Sequence, residues 1–301
     1  MAATFAELKR RIRLRTGNKI DEVRAEMLLR EKIIAIWDSN DWSFREDDDI
    51  LTTAAPYTTG TVTLNADPTK VDGVGTAWTA AHVGYQFRQD NETTFYEVTA
   101  VNVGTQQLTL ASAYAGATFT AAGYRLFKSI YSMAADFDQM LSMTYWWMLS
   151  EGSATSIERY DGRRTFTSQR PMHFVYRGLD ANGVMQVEIS PVPAAAIGIK
   201  YHYRTKPKAW VDTDLVPIRE DVLVYGCACD ALYLLAIEQP DKAAGWTTVA
   251  DKYQAKELHA YNEFAWADAK VQGIQKAVRD EAGSGVYNDE YLASHDLFSP
   301  V

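Results

Sequence analysis

The residue types that most often carry chemistry are all present, but their spacing builds no reaction centre. The five histidines, His82, His173, His202, His259 and His295, are scattered, and no two stand at the i, i+4 spacing that puts a metal pair on one helix face. The two cysteines, Cys227 and Cys229, lie two apart inside an apolar run. Such neighbours on a helix point different ways, which suits neither a disulfide nor a paired metal ligand, so both are expected to be small buried hydrophobes. No Gly-x-Ser-x-Gly elbow, His-Glu-x-x-His helix or Walker loop occurs. Gly73-Val74-Gly75 lacks the third glycine, the preceding buried strand and the following helix of a dinucleotide fingerprint, and is read as a tight turn before Thr76-Ala77-Trp78. Glu46-Asp47-Asp48-Asp49 lacks the alternating oxygens, central glycine and final glutamate of an EF-hand, and reads as a solvated acidic loop. With 39 acids in the chain, a glycosidase-like carboxylate pair stays open. The expectation is therefore no catalytic residue, no metal, no cofactor and no enzymatic step.

Two stretches hold candidate contact residues instead. Thr4 to Arg15 reads as a short helix, with Thr4 as N-cap and Glu7 completing a capping box. Phe5, Leu8 and Ile12 share one face, and Lys9, Arg10, Arg11 and Arg13 occupy the others. Those four are either a solvated shell or a contact for an acidic partner surface or phosphate. At the other end, Gly283-Ser284-Gly285 reads as a hinge before a tail that keeps Tyr287, Tyr291, Leu292, Leu297 and Phe298. Disordered tails are normally poor in such residues, so these are expected to anchor the tail in a groove, on its own domain or on another subunit.

The elements between them follow from periodicity. A second helix is predicted from about Asp21 to Ser39, with Val23, Met27, Ile33, Ile34 and Trp37 as core candidates. From Tyr57 to Phe127, short runs rich in Thr, Val and aromatics, punctuated by Gly, Asn and Asp, predict a small antiparallel barrel or sandwich. Phe137, Met140, Leu141, Tyr145, Met148 and Leu149, with Trp146 and Trp147 alongside, predict a helix over Met133–Ser150. Arg159 to Arg170 reads as a polar turn, His173–Tyr176 and Val184–Ile189 flank a hairpin loop, and Ile197–Tyr203 is a third strand. Pro217 suits a first helical position, and Val222–Ile237 is apolar on almost every face, so it predicts a central core helix. After Gln239-Pro240-Asp241 a second helix runs to about Glu281, with Phe264, Ala267, Val271, Ile274 and Val278 on one face.

The fold class expected is α+β. A helical bundle core is built from residues 1–55 and 129–285, with a β-hairpin over 172–204 and a helical hairpin over 217–281. A small antiparallel β-barrel or sandwich is inserted at 56–128, and an extended C-terminal tail covers 286–301. The net charge of −9 argues against a general nucleic-acid binder. No apolar leader segment and no membrane span are expected, and synthesis in a reducing, intracellular place is.

The order of several loose motifs resembles a known family. Phe5-Ala-Glu-Leu-Lys, Arg15-Thr16-Gly17, a helix and Asp41-Trp42-Ser43-Phe44 resemble the opening of head–tail adaptor (connector) proteins of tailed bacteriophages. Ile189-Ser-Pro191-Val-Pro193, Tyr201-His-Tyr203, Lys206-Pro207, Trp210 and Asp212-Thr-Asp214-Leu-Val-Pro217 are also similar to that family, as is the helical hairpin after them. Gly73-Val-Gly75-Thr76-Ala-Trp78-Thr79, Val83-Gly84 and Tyr114-Ala-Gly116-Ala-Thr118 look like a β module of phage structural proteins. The resemblance implies a structural virion protein made in the host cytoplasm and placed at the head–tail junction. It implies a dodecameric ring below the portal that forms part of the DNA exit channel, with the tail reaching the portal or a neighbour. Partners would be the portal ring, tail or nozzle proteins and further copies of the chain, with DNA passing unbound. Two other readings stay open: a tail-associated protein whose β module recognises a glycan or tail partner through Trp78 or Tyr85, and a cell-wall hydrolase with a carboxylate pair in a cleft.

Overall fold

The computed structural model describes residues 3–145 and 148–284, and the side chains of the last helix as far as Gly273. Its helices are α1 (Phe5–Arg15), α2 (Glu22–Ser39), α3 (Ala154–Asp161), α4 (Glu220–Glu238) and α5 (Ala243–Ser284). The chain divides into two units, Met1–Glu46 with Pro207–Val301, and Asp47–Lys206.

The first unit packs α1, α2, α4 and α5 around one apolar cluster that includes Phe5, Leu8, Leu29, Ile33, Trp42, Leu223 and Cys227. The Thr4 side chain accepts from the Glu7 N–H while Glu7 reaches back to Thr4, so the predicted capping box forms. Pro217 lies ahead of α4, whose N-cap is Arg219 and whose first turn carries Glu220 and Asp221, complementing the helix dipole. Helix α4 is buried from Val222 to Leu232 on nearly every face, as its sequence implies, whereas Leu234 and Ile237 in its last turns are exposed. Lys32 crosses from α2 to Asp230 (2.9 Å) and Glu257 (3.1 Å). Gly226 makes room for that bridge, because a Cβ there would lie 2.5 Å from a Glu257 carboxylate oxygen. Burial pulls the Lys32 ammonium down, but hydrogen bonds and charges from Asp230 and Glu257 outweigh it and hold its pKa above the ordinary value.

The second unit is β-rich. In chain order its strands are β1 (Glu46–Thr52), β2 (Thr61–Leu64), β3 (Lys70–Val74), β4 (Gln86–Gln89), β5 (Tyr96–Asn102), β6 (Gln107–Leu110), β7 (Tyr124–Phe127) and β8 (Ile130–Ser132). They continue with β9 (Phe137–Thr144), β10 (Ser150–Glu151), β11 (Thr167–Ser168), β12 (His173–Leu179), β13 (Met185–Ser190), β14 (Val192–Pro193) and β15 (Gly198–Thr205). One sheet runs β2-β3-β6-β5-β4-β7. Its ends meet through paired backbone hydrogen bonds between Val62 and Ala122 and between Tyr57 and Leu126, which curl it into a closed barrel. Trp78, Phe87, Tyr124 and Leu126 fill the interior. Gly73 lies in β3 under the Trp78 ring, where a Cβ would come within 2.7 Å, so its glycine serves packing; the strand ends at Val74, and Gly75, at a φ of 68°, makes the bend before Thr76. The rest of the unit holds a four-stranded sheet, β10-β12-β13-β8, a three-stranded sheet, β1-β15-β9, and the small β11-β14 pair.

Three expectations do not hold. A helical-bundle core does not organise this molecule: more than half of the chain lies in the β-rich unit, and the helices other than α3 form a unit of their own. The helix expected over Met133–Ser150 is instead β9 flanked by strand and turn. Register shifts in the β9–β15 ladder leave Asp138 and Leu141 without a register partner. Phe137, Met140 and Met143 therefore face the core three residues apart, and bulges of this kind turn a period of two into a period that imitates a helix. Trp146 and Trp147 lie outside the described residues. The acidic loop at Glu46–Asp49 is also strand, the start of β1, with Asp47, Asp48 and Asp49 solvent-exposed as expected.

Candidate functional site

The predicted contact residues of the N-terminal helix divide. Lys9 is only 5% exposed and meets Asp212 (2.7 Å), Glu22 (3.2 Å) and Glu26 (3.3 Å). Desolvation lowers its pKa, and the three carboxylates more than reverse that, leaving Lys9 above the usual lysine value. Arg11 pairs with Glu220, and Arg13 is half-buried with an Nε that has no hydrogen-bond partner. Arg10 is the exposed member of the four. The basic helix thus spends Lys9 and Arg11 inside its own unit. The tail anchors Tyr287, Tyr291, Leu292, Leu297 and Phe298 lie outside the described residues.

The thiols sit where the sequence puts them. Cys227 is fully buried against the Leu28 carbonyl, and burial pushes its thiol well above the ordinary range. Burial likewise pushes Cys229 up to about 11, so neither is a ready nucleophile at neutral pH. Among the described residues no group of three or more His, Cys, Asp and Glu could hold a metal ion, and no helix is long and apolar enough to cross a membrane. His82 sits in a turn against Thr79, His202 pairs with Asp48, and His259 with Glu263; His295 lies outside the described residues. Trp78 is completely buried and donates to the Tyr124 hydroxyl at 3.0 Å. Tyr85 is half-buried. Trp78 therefore offers no platform to a ligand.

What the helical unit does expose is apolar surface. On α2 the core takes Ala25, Leu28, Leu29, Ile33, Ile36 and Trp37. Val23, Met27 and Ile34, expected in the core, are 78%, 48% and 48% exposed. Their spacing of four and seven lines them along one stripe of the helix. Helix α5 has 42 residues against 19 in α4, so at about 1.5 Å per residue it is more than twice as long as its hairpin partner. Its inner face carries Tyr253, Ala260, Tyr261 and Phe264, with Phe264 stacked on Trp42 at 4.8 Å. Farther along, Trp266 is 64% and Val271 44% exposed, with Lys270 lying 3.5 Å over the Trp266 ring. Ala267 is exposed as well, and the side chains of Ile274 and Val278 fall outside those described.

A second feature belongs to the β-rich unit and has no counterpart in the sequence reading. Strand β10 runs parallel to β12 with Ser150 opposite His173, and the Ser150 hydroxyl lies 2.6 Å from His173 Nδ1. The pair lines a cavity of about 750 Å³, the scale of a small-ligand site. Helix α3, capped by Ser153, supplies Tyr160 and Asp161. Asp161 accepts from Thr165 N–H (2.7 Å), the Thr165 hydroxyl (2.9 Å) and Phe166 N–H (2.9 Å), which fixes the loop carrying Phe166. Glu151 also lines this space. The serine and histidine stand 23 residues apart in sequence, a separation that no local motif reports.

No protein-family model matches the chain, and no curated protein matches it.

Proposed function

We propose that the chain is a structural adaptor of a tailed-phage virion, assembling as a ring that joins the portal to the tail and borders the DNA exit channel. The order of motifs that resembles the adaptor family supports this reading. The observation that carries it is the presence of two separate exposed apolar surfaces on one helical unit, the Val23–Met27–Ile34 stripe of α2 and the Trp266–Val271 stretch of α5. A ring closed by head-to-tail contacts needs two different complementary patches on each copy. A helix that outruns its partner and carries apolar side chains gains stability when another surface covers it. In the proposed contact the α2 stripe of one copy meets α5 of the next. The net charge of −9 suits a channel wall that repels the phosphate backbone, so DNA passes without counterion-release binding. No bond is made or broken on the protein in this function.

Light scattering on the purified chain, alone and mixed with the portal ring of the same virus, tests the reading. The expected result is a discrete complex of many copies when the portal is present. A chain that stays monomeric and ignores the portal contradicts it.

A further inference from the structure

The cavity beside Ser150 and His173 is independent of the helical surfaces, since every residue lining it lies in the β-rich unit. We propose that it binds a neutral oligosaccharide. Its volume of about 750 Å³ is that of a small-ligand site. Two of its rings are open to solvent, Tyr160 at 83% and Phe166 at 62%. Tyr160 stands on α3, and Phe166 is tied by its own N–H to Asp161. Two exposed rings on one cavity offer flat apolar faces, and the C–H face of a pyranose can stack on such a face.

The polar side of the cavity fits the same ligand. A hydroxyl and an imidazole can each donate and accept, as sugar hydroxyls do, and Ser150 and His173 are already held 2.6 Å apart by strand register. Glu151, exposed at the end of β10, adds an acceptor. Among the described residues no lysine or arginine lines the cavity. That absence sets the ligand class: phosphates, nucleic acids and sulfated or acidic glycans would meet carboxylates without a compensating cation. A neutral chain of hexoses or N-acetylhexosamines meets stacking faces and paired hydrogen-bonding groups.

The test is a titration of the full chain with chitotriose, maltotriose and cellotriose, followed by ligand-observed NMR, with a proline- and aromatic-rich peptide as comparator. At least one oligosaccharide is expected to bind. Tyr160→Ala, a change at an exposed position, should weaken it about tenfold, and Glu151→Gln should weaken it less, both with an unchanged thermal midpoint. Binding of none of the three sugars, binding unchanged in Tyr160→Ala, or binding of the peptide alone would each overturn the proposal. These outcomes do not bear on ring assembly, which is read by particle size.

Discussion

Asp268 of α5 accepts hydrogen bonds from the backbone N–H of Ser43 at 3.1 Å and from the hydroxyl of the same residue. This carboxylate is 8% exposed and fastens the long helix to the turn after α2, beside the stacked rings of Trp42, Phe44 and Phe264. Removing it strands two donors near the surface of the core. Asp268→Ala is expected to lower stability by about 1–3 kcal/mol, and Asp268→Asn by less, since an amide oxygen still accepts. Denaturant unfolding followed by tryptophan fluorescence measures both.

Within the β-rich unit, Arg164 meets Glu188 at 2.5 Å with both side chains almost fully buried. Arg177 pairs with Glu188 as well, and Glu158 accepts from Arg164 at 2.6 Å. Arg164 also adopts a positive φ of 52°, a conformation disfavoured for a side chain of its size. Breaking one partner of a buried pair leaves an uncompensated charge. Glu188→Leu or Arg164→Met alone is expected to cost about 3–5 kcal/mol, and the double variant clearly less than the sum. A double-mutant cycle on the equilibrium unfolding curves reads the coupling.

The same network gives the acid limb of stability a sign. The hydrogen bond from Arg164 holds the Glu158 carboxyl below its ordinary value of 4.5. A depressed folded-state pKa adds stability above the unfolded value, and that contribution is lost as pH falls below about 4.5 and through the folded value. The half-exposed side chain keeps the effect modest. On the alkaline limb the order is reversed. Burial raises Cys229 to about 11 from 9.0, so its contribution is whole below about 9 and disappears as pH climbs toward 11. Thermal midpoints against pH should fall at both ends, with a shallower acid slope in Glu158→Gln. Iodoacetamide at mildly alkaline pH should label Cys227 and Cys229 only after unfolding.

How far the sequence reveals the fold depends on whether its pattern has one physical reading. The capping box at Thr4 and Glu7, the buried run of α4 and the barrel strands are legible because each pattern fits a single element. Helix α2 carries two apolar stripes, and periodicity alone cannot choose between them: Ile33 and Trp37 point inward, whereas Val23, Met27 and Ile34 do not. Strand β9 is misread because its ladder irregularities space Phe137, Met140 and Met143 like a helix. The weight of β-structure is underestimated for the same reason, together with strand β1 reading as an acidic loop. The cavity at Ser150 and His173 is assembled by tertiary register between β10 and β12, which leaves no local signature. The basic residues Lys9 and Arg11 are visible in sequence, but Asp212, one of the three partners of Lys9, and Glu220, the partner of Arg11, lie some two hundred residues away.

The most direct test of the account joins its two helical surfaces across copies. Met27→Cys on α2 and Val271→Cys on α5 place a thiol in each exposed apolar surface, while Cys227 and Cys229 stay buried. The doubly substituted chain, assembled on the portal ring and oxidised, is then separated by size under denaturing, non-reducing conditions. A ladder of covalent multimers that collapses on reduction is the predicted result. A single monomer band from fully assembled particles would contradict the α2-to-α5 contact, and failure of the unsubstituted chain to assemble on the portal would contradict the adaptor function itself.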